Sequence, residues 1–200
     1  MPITYTNRRG VLYYLCRSTV RTGKLPYYFA REPKGEPVEQ VPPGYKISET
    51  VNGQGYLEPD RPGPIRPAEI AVVEQAIGRL PKAHFYRVRA KEKRIEVYER
   101  VGADVDEMMG AFGLIGITLR TMDAAERSDV ETMLDRQADF DPVMRFILVD
   151  TEARTFRAER MGYTGQGGWR KLWGSGTGPL ADLADRLIPT LGTEDFFTLY

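Results

Sequence analysis

An α+β fold, with a small N-terminal antiparallel sheet followed by a larger helix-plus-hairpin domain, is predicted by three observations. The first is a pair of apolar, tyrosine-rich runs, residues 11–20 and 25–31, separated by Arg21-Thr-Gly-Lys24; such runs on either side of a short polar segment read as a β-hairpin. The second is that, beyond residue 67, stretches with apolar residues at helical spacing are interleaved with short strand pairs, the pattern of mixed α and β elements. The third is a connector at residues 60–67 with three prolines and a glycine, which is stiff and poorly hydrogen-bonded. Residues 1–59 are therefore expected to form a β-sheet module with a basic aromatic hairpin, 60–67 a proline-rich connector, and 68–200 an α+β domain.

Each element follows from local chemistry. In the first hairpin Val11, Tyr13 and Leu15 alternate with Leu12, Tyr14 and Cys16, so both faces carry large apolar groups. Residues 32–37 and 42–44 read as turns. Residues 45–51 and 55–57 read as strands joined by Asn52-Gly53, the pair that suits a type I′ turn. Pro67 suits the first position of a helix, and Ile70, Val73, Ala76, Ile77 and Leu80 extend one to residue 80. Residues 84–89 and 94–100 are expected strands around a charged turn. The acidic start at Asp104 suits a helix over 104–112, because carboxylates favour the positive end of the helix dipole. Residues 114–121 have strand propensity, and 124–138 should be a helix with Val130, Met133, Leu134 and Gln137 on one stripe.

Residues 144–150 and 154–163 are the next expected strand pair. They echo the earlier pair at an offset of sixty: Tyr86-x-Val88, Glu92-x-Arg94 and Glu99-Arg100 align with Phe146-x-Leu148, Glu152-x-Arg154 and Glu159-Arg160. An αββ unit used twice would account for this echo. Residues 162–178, rich in glycine, read as a loop. Residues 179–188 form an amphipathic helix stopped by Pro189, and Thr193-Glu-Asp195 opens a last short helix.

Composition narrows the function classes. Lys plus Arg and Asp plus Glu both number 28, so neither a globally basic nucleic-acid coat nor an acidic mimic is expected. Charge is segregated nonetheless: residues 79–100 carry eight Lys/Arg against three Glu, and 101–142 carry ten Asp/Glu against three Arg. A single cysteine, Cys16, excludes an internal disulfide and any CxxC motif. The N-terminus lacks the apolar core of a signal peptide. The longest apolar stretch, 108–119, is broken by three glycines and is too short to span a bilayer. No membrane association and a cytoplasmic location are the expectation.

Several of these pieces carry a resemblance. Tyr13-Tyr-Leu15 with Arg21-Thr-Gly-Lys24 and Tyr27-Tyr-Phe29, then Val41-Pro-Pro-Gly-Tyr45 and Asn52-Gly53, then Arg145-Phe146, Val149-Asp150 and Glu159-Arg160, and finally Leu191-Gly-Thr-Glu-Asp-Phe-Phe197 together resemble a family of uncharacterised bacterial proteins. The resemblance spans most of the chain and implies a bacterial intracellular protein of one architecture. It brings no activity, ligand or catalytic residue.

Residues 1–31 hold six basic side chains and no Asp or Glu. Cations for phosphates interleaved with flat rings for bases are what a nucleic-acid reader uses. The candidate contacts are Arg17, Arg21, Lys24, Tyr27, Tyr28 and Arg31. The leading expectation is thus a non-catalytic module that contacts a nucleic acid or a protein assembly through this hairpin. A second reading is a small enzyme or sensor that takes a ligand or phosphate at Trp169, Trp173, Gly174, Gly176 and Gly178, where glycine N–H groups run into a helix N-terminus. In that reading the two tryptophans share a helical face. A third is a structural protein–protein subunit.

Catalytic constellations are thin. One histidine, His84, makes no metal cluster, and no serine sits in a Gly-x-Ser-x-Gly elbow. Asp104, Asp106 and Glu107 suggest a magnesium site or simply a helix start. Asp150 and Glu152 with Lys171 or Lys93 suggest a nuclease-like set. No metal, cofactor or catalytic residue is assigned.

Overall fold

The alternation of tyrosine with aliphatic residues that predicts the first hairpin builds a four-stranded antiparallel sheet. The computed structural model describes residues 1–18, 26–33, 35–114, 123–163 and 168–198, the side chains of residues 112–114, 169, 173 and 174 excepted. The protein is α+β. Strand β2 (Leu12–Arg17) lies between β1 (Thr4–Thr6) and β3 (Tyr27–Ala30), and β4 (Glu36–Pro37) also pairs with β2. The register sets Leu15 opposite Phe29 and Arg17 opposite Tyr27. Leu15 and Cys16 are fully buried.

The next hairpin joins β5 (Tyr45–Glu49) and β6 (Gly55–Pro59). Its turn is not type I′, which needs two residues at positive φ. Gly53 has φ +81° and Asn52 does not, and a five-residue loop is closed by Gly53 N–H to Thr50 C=O and Thr50 N–H to Gln54 C=O. Gly55 has a separate reason to be glycine: a Cβ there would lie 3.2 Å from Tyr5 and 3.3 Å from Phe29, whose rings pack edge to face.

By density of internal contacts the chain forms two units, Met1–Arg61 with Val101–Asp139 and Pro62–Arg100 with Phe140–Tyr200. The first break falls between Arg61 and Pro62. The remainder is not continuous in sequence, because 101–139, expected within the second domain, clusters with the N-terminal sheets. Helix α2 (Val105–Leu114) starts where the acidic pattern places it, with Asp104 and Glu107 bonding each other's backbone N–H groups. Helix α3 (Ala124–Gln137) has Asp123 as N-cap, reciprocated by Glu126. None of its residues is fully buried, and Met133 of the expected apolar stripe is 57% exposed. The expected strand over 114–121 falls at 114 on the end of α2 and otherwise outside the described residues.

The second unit is built on a five-stranded sheet of order β11-β10-β9-β8-β7. Its strands are β7 (Tyr86–Lys91), β8 (Arg94–Val101), β9 (Asp139–Asp150), β10 (Thr155–Tyr163) and β11 (Trp169–Pro179). Helices α1 (Pro67–Gly78) and α4 (Leu180–Leu187) bury Val73, Ala76 and Ile77, and Leu183, Ala184 and Leu187, in one core with Ile95, Val97, Phe146, Leu148, Phe156 and Ala158 of the sheet. A buried phenylalanine of this kind contributes about 3–5 kcal/mol against alanine. The order helix, strand, strand occurs twice, as α1-β7-β8 and α3-β9-β10. The two hairpins close differently, however, with a two-residue turn after Lys91 and a four-residue turn after Asp150.

Of residues 162–178, expected to be a loop, 162–163 end β10 and 169–178 lie in the edge strand β11, while 164–167 lie outside the described residues. Strand β11 pairs antiparallel with β10, Phe156 opposite Gly178 and Tyr163 opposite Trp169. A bulge between Gly174 and Thr177 absorbs the irregular composition: Gly176 has φ +99°, and a Cβ there would lie 2.8 Å from the Arg186 guanidinium. Glycine lowers intrinsic strand preference, but an edge strand with a bulge tolerates it.

Candidate nucleic-acid interface

The described hairpin residues singled out in the sequence lie on both faces of the N-terminal sheet. Arg17 on β2 is exposed, with Tyr27 across from it on one side and Glu36 on the other. Tyr28, the neighbour of Tyr27 on β3, projects from the opposite face and is 37% exposed. Arg31 is exposed just beyond β3. Arg21 and Lys24 lie outside the described residues. Two other basic residues of this segment have internal work. Arg8 donates to the carbonyls of Asp135 at 2.7 Å, Arg136 at 3.0 Å and Ala138, and Arg9 donates to Ala138 at 3.1 Å and to the Asp139 carboxylate. Both guanidinium groups thus cap the C-terminal end of α3, where carbonyls lack helical partners and the dipole favours a cation.

A larger collection of cations occurs on the five-stranded sheet. Strand parity puts Arg87, Arg89 and Lys91 of β7 on one face, opposite Tyr98, Glu96 and Arg94 of β8. On the next pair Arg145 faces Glu159 and Ile147 faces Arg157. This is the face turned away from α1 and α4, since Val88, Val97, Phe146 and Ala158 take the other parity and join the core. Glu96, 3% exposed, accepts from Arg94 at 2.9 Å, from the Tyr98 hydroxyl at 2.6 Å, and lies 3.0 Å from Arg145. Glu159, 7% exposed, sits 3.3 Å from Arg157 and 3.5 Å from Lys171 of β11. Each carboxylate is thus shared by two cations.

Among the described residues, this face gathers Arg87, Arg89, Lys91, Arg94, Arg145, Arg157 and Lys171 around Glu96 and Glu159. Arg89, Lys91, Arg157 and Lys171 are exposed. The basic excess of 79–100 is visible in the sequence, and its geometry is not. The available signal was Arg87, Arg89 and Lys91 at positions i, i+2 and i+4 of a strand. Arg145, Arg157 and Lys171 could join them only through long-range pairing.

The remaining candidates lie in strands, helix starts and a turn. Trp169 and Trp173 lie in a strand, pairing with Tyr163 and Arg160, so they do not share a helical face. Gly174 and Gly178 are ladder residues opposite Glu159 and Phe156. The expected phosphate cradle is therefore absent as a loop. Leu172 of the same strand borders a cavity of about 720 Å³ that also touches Val143, Met161 and Phe196. Asp106 pairs with Arg127 at 2.6 Å, Asp104 and Glu107 form the α2 cap, and Asp150 accepts the Glu152 and Ala153 N–H groups at 2.8 and 2.9 Å. Those two bonds hold the Asp150 carboxyl below the usual carboxylate range. Cys16 is buried with its thiol 3.7 Å from the Tyr14 carbonyl. No group of metal ligands occurs among the described residues, and no described helix is long and apolar enough to cross a membrane.

Burial and a carboxylate partner raise two tyrosines well above the ordinary phenol. Tyr98 donates to Glu96 on the cationic face, and Tyr86 donates to Glu99 at 2.7 Å. Both stay neutral donors through the physiological range. Tyr98 is partly buried there, and what the face presents is mainly charged side chains. No family model, curated protein or solved structure matches the chain.

Proposed function

We propose that this protein is a non-catalytic binding module for nucleic acid, and that the cation-rich face of the five-stranded sheet makes the principal contact with the phosphate backbone. The observation that carries the reading is the gathering of Arg87, Arg89, Lys91, Arg94, Arg145, Arg157 and Lys171 around two shared carboxylates on one sheet face. Such an excess suits a polyanion, whose binding releases condensed counterions. Contact made mainly through arginine and lysine side chains to phosphates predicts binding that is sequence-tolerant and steeply salt-dependent rather than base-specific. The exposed Arg17, Tyr28 and Arg31 of the N-terminal sheet are a separate candidate contact. The test is fluorescence anisotropy of labelled single- and double-stranded RNA and DNA across a salt series. The variants are Arg89→Glu/Lys91→Glu/Arg157→Glu for the sheet face and Arg17→Glu/Arg21→Glu/Lys24→Glu for the hairpin. The sheet-face variant is expected to weaken binding at least tenfold and to lower the salt slope by about 2, at roughly 0.7 per lost phosphate contact on a single strand.

A further inference from the structure

We propose a second, independent binding site in the cavity at one end of the five-stranded sheet, with a small organic cation on an apolar body as its ligand. The cavity, about 720 Å³, is within the range of small-molecule sites. Its floor is apolar, with Val143, Met161, Leu172 and Leu191 among the lining side chains. Its charged groups are of one sign. Glu99 and Glu194 both line it, and no lysine or arginine does among the described residues.

Aromatic surface completes the chemistry. Tyr163 and Phe197, each 65% exposed, stand with Phe196 in the lining. Aromatic faces carry the negative end of the ring quadrupole and attract ammonium groups, most strongly those out of water. Phe196 already holds one cation in this way, the buried Arg160 guanidinium 5.7 Å from the ring centre. Arg160 also donates to the Thr198 carbonyl at 2.7 Å and does not line the cavity.

Carboxylates and rings around an apolar floor exclude anions and favour a cation with a hydrocarbon part. Glu99 is the fixed member of the set, because the Tyr86 hydroxyl binds one of its oxygens at 2.7 Å. Gly192 lets this pair form beside the cavity: a Cβ there would lie 3.3 Å from the Tyr86 hydroxyl oxygen. This site shares no side chain with the cations named on the nucleic-acid face, so either assignment stands or falls alone.

The test compares hexyltrimethylammonium, hexanol and hexanoate by titration calorimetry on the full chain. Amide shifts of Gly162 and Gly192 in nitrogen-15 NMR spectra localise any binding. The cation is expected to bind at least tenfold tighter than the other two and to shift both glycines. Glu99→Gln, which keeps an acceptor for Tyr86, should bring the cation to the affinity of hexanol. Glu194→Gln, at an exposed position, should weaken it severalfold and guards against a misfolded Glu99→Gln. Absence of cation binding at millimolar concentration, equal or tighter binding of hexanoate or hexanol, or affinity unchanged in the folded variants would overturn the assignment.

Discussion

Asn7 shows how much one short polar side chain can organise. It is 5% exposed, accepts the N–H groups of Val11 at 2.8 Å and Arg9 at 3.1 Å, and donates to the Gly53 carbonyl at 2.7 Å. One amide thereby fixes the β1–β2 turn and ties it to the β5–β6 turn. Asn7→Ala is expected to destabilise the fold by about 2–4 kcal/mol, since buried backbone groups lose their partners as well as their bonds; urea unfolding measures it. The raised tyrosines give a pH prediction with a definite sign. A phenol whose pKa is raised on folding contributes stability that is intact below its unfolded value near 10 and is lost as pH rises beyond it. Melting temperature should therefore fall between pH 9 and 12, and Tyr86→Phe should fall less over that interval than the wild type. An equal fall would show that the Tyr86–Glu99 bond is not responsible.

At the scale of elements, Arg154 links a turn to a helix. It has φ +51°, a conformation that costs a non-glycine residue stability, and its guanidinium bonds Glu69 at 2.5–2.8 Å and the Pro64 carbonyl at 3.1 Å. Glu69 also accepts the Arg66 N–H at 2.8 Å at the start of α1. Arg154→Gly relieves the backbone and removes the clamp, whereas Arg154→Ala removes the clamp alone. Alanine should be the more destabilising, with a loss of about 1.5–3 kcal/mol for the charged hydrogen bonds, and thermal melts of both variants separate the two contributions.

The same scale explains what was legible in the sequence. The hairpins β2–β3, β5–β6, β7–β8 and β9–β10 were legible because alternation and turn residues are local signals. Strands β1 and β4, three and two residues long, are too short to carry a period. Strand β11 was hidden because its glycines look like a loop until β10 lies beside it.

For the whole molecule, charge is zero in sum and unequal in place. Of the six basic residues in 1–31, Arg8 and Arg9 complete the end of α3. Others, scattered from Arg87 to Lys171, meet on one face because antiparallel pairing brings alternate residues of five strands together. That site was only partly legible: the i, i+2, i+4 cations of β7 were visible, and the strand order that gathers the rest was not. The cavity beside Glu99 is lined from β8, β9, β10, β11 and the C-terminal segment, which no local pattern announces.

The most direct test of this account is the salt slope of nucleic-acid binding in the sheet-face variant Arg89→Glu/Lys91→Glu/Arg157→Glu, measured beside the wild type and the hairpin variant. The predicted result is tight wild-type binding that weakens steeply with salt, and a sheet-face variant that binds at least tenfold more weakly with a slope about 2 smaller. Wild-type binding that persists unchanged in the folded sheet-face variant, or no binding by the wild type at low salt, would contradict it.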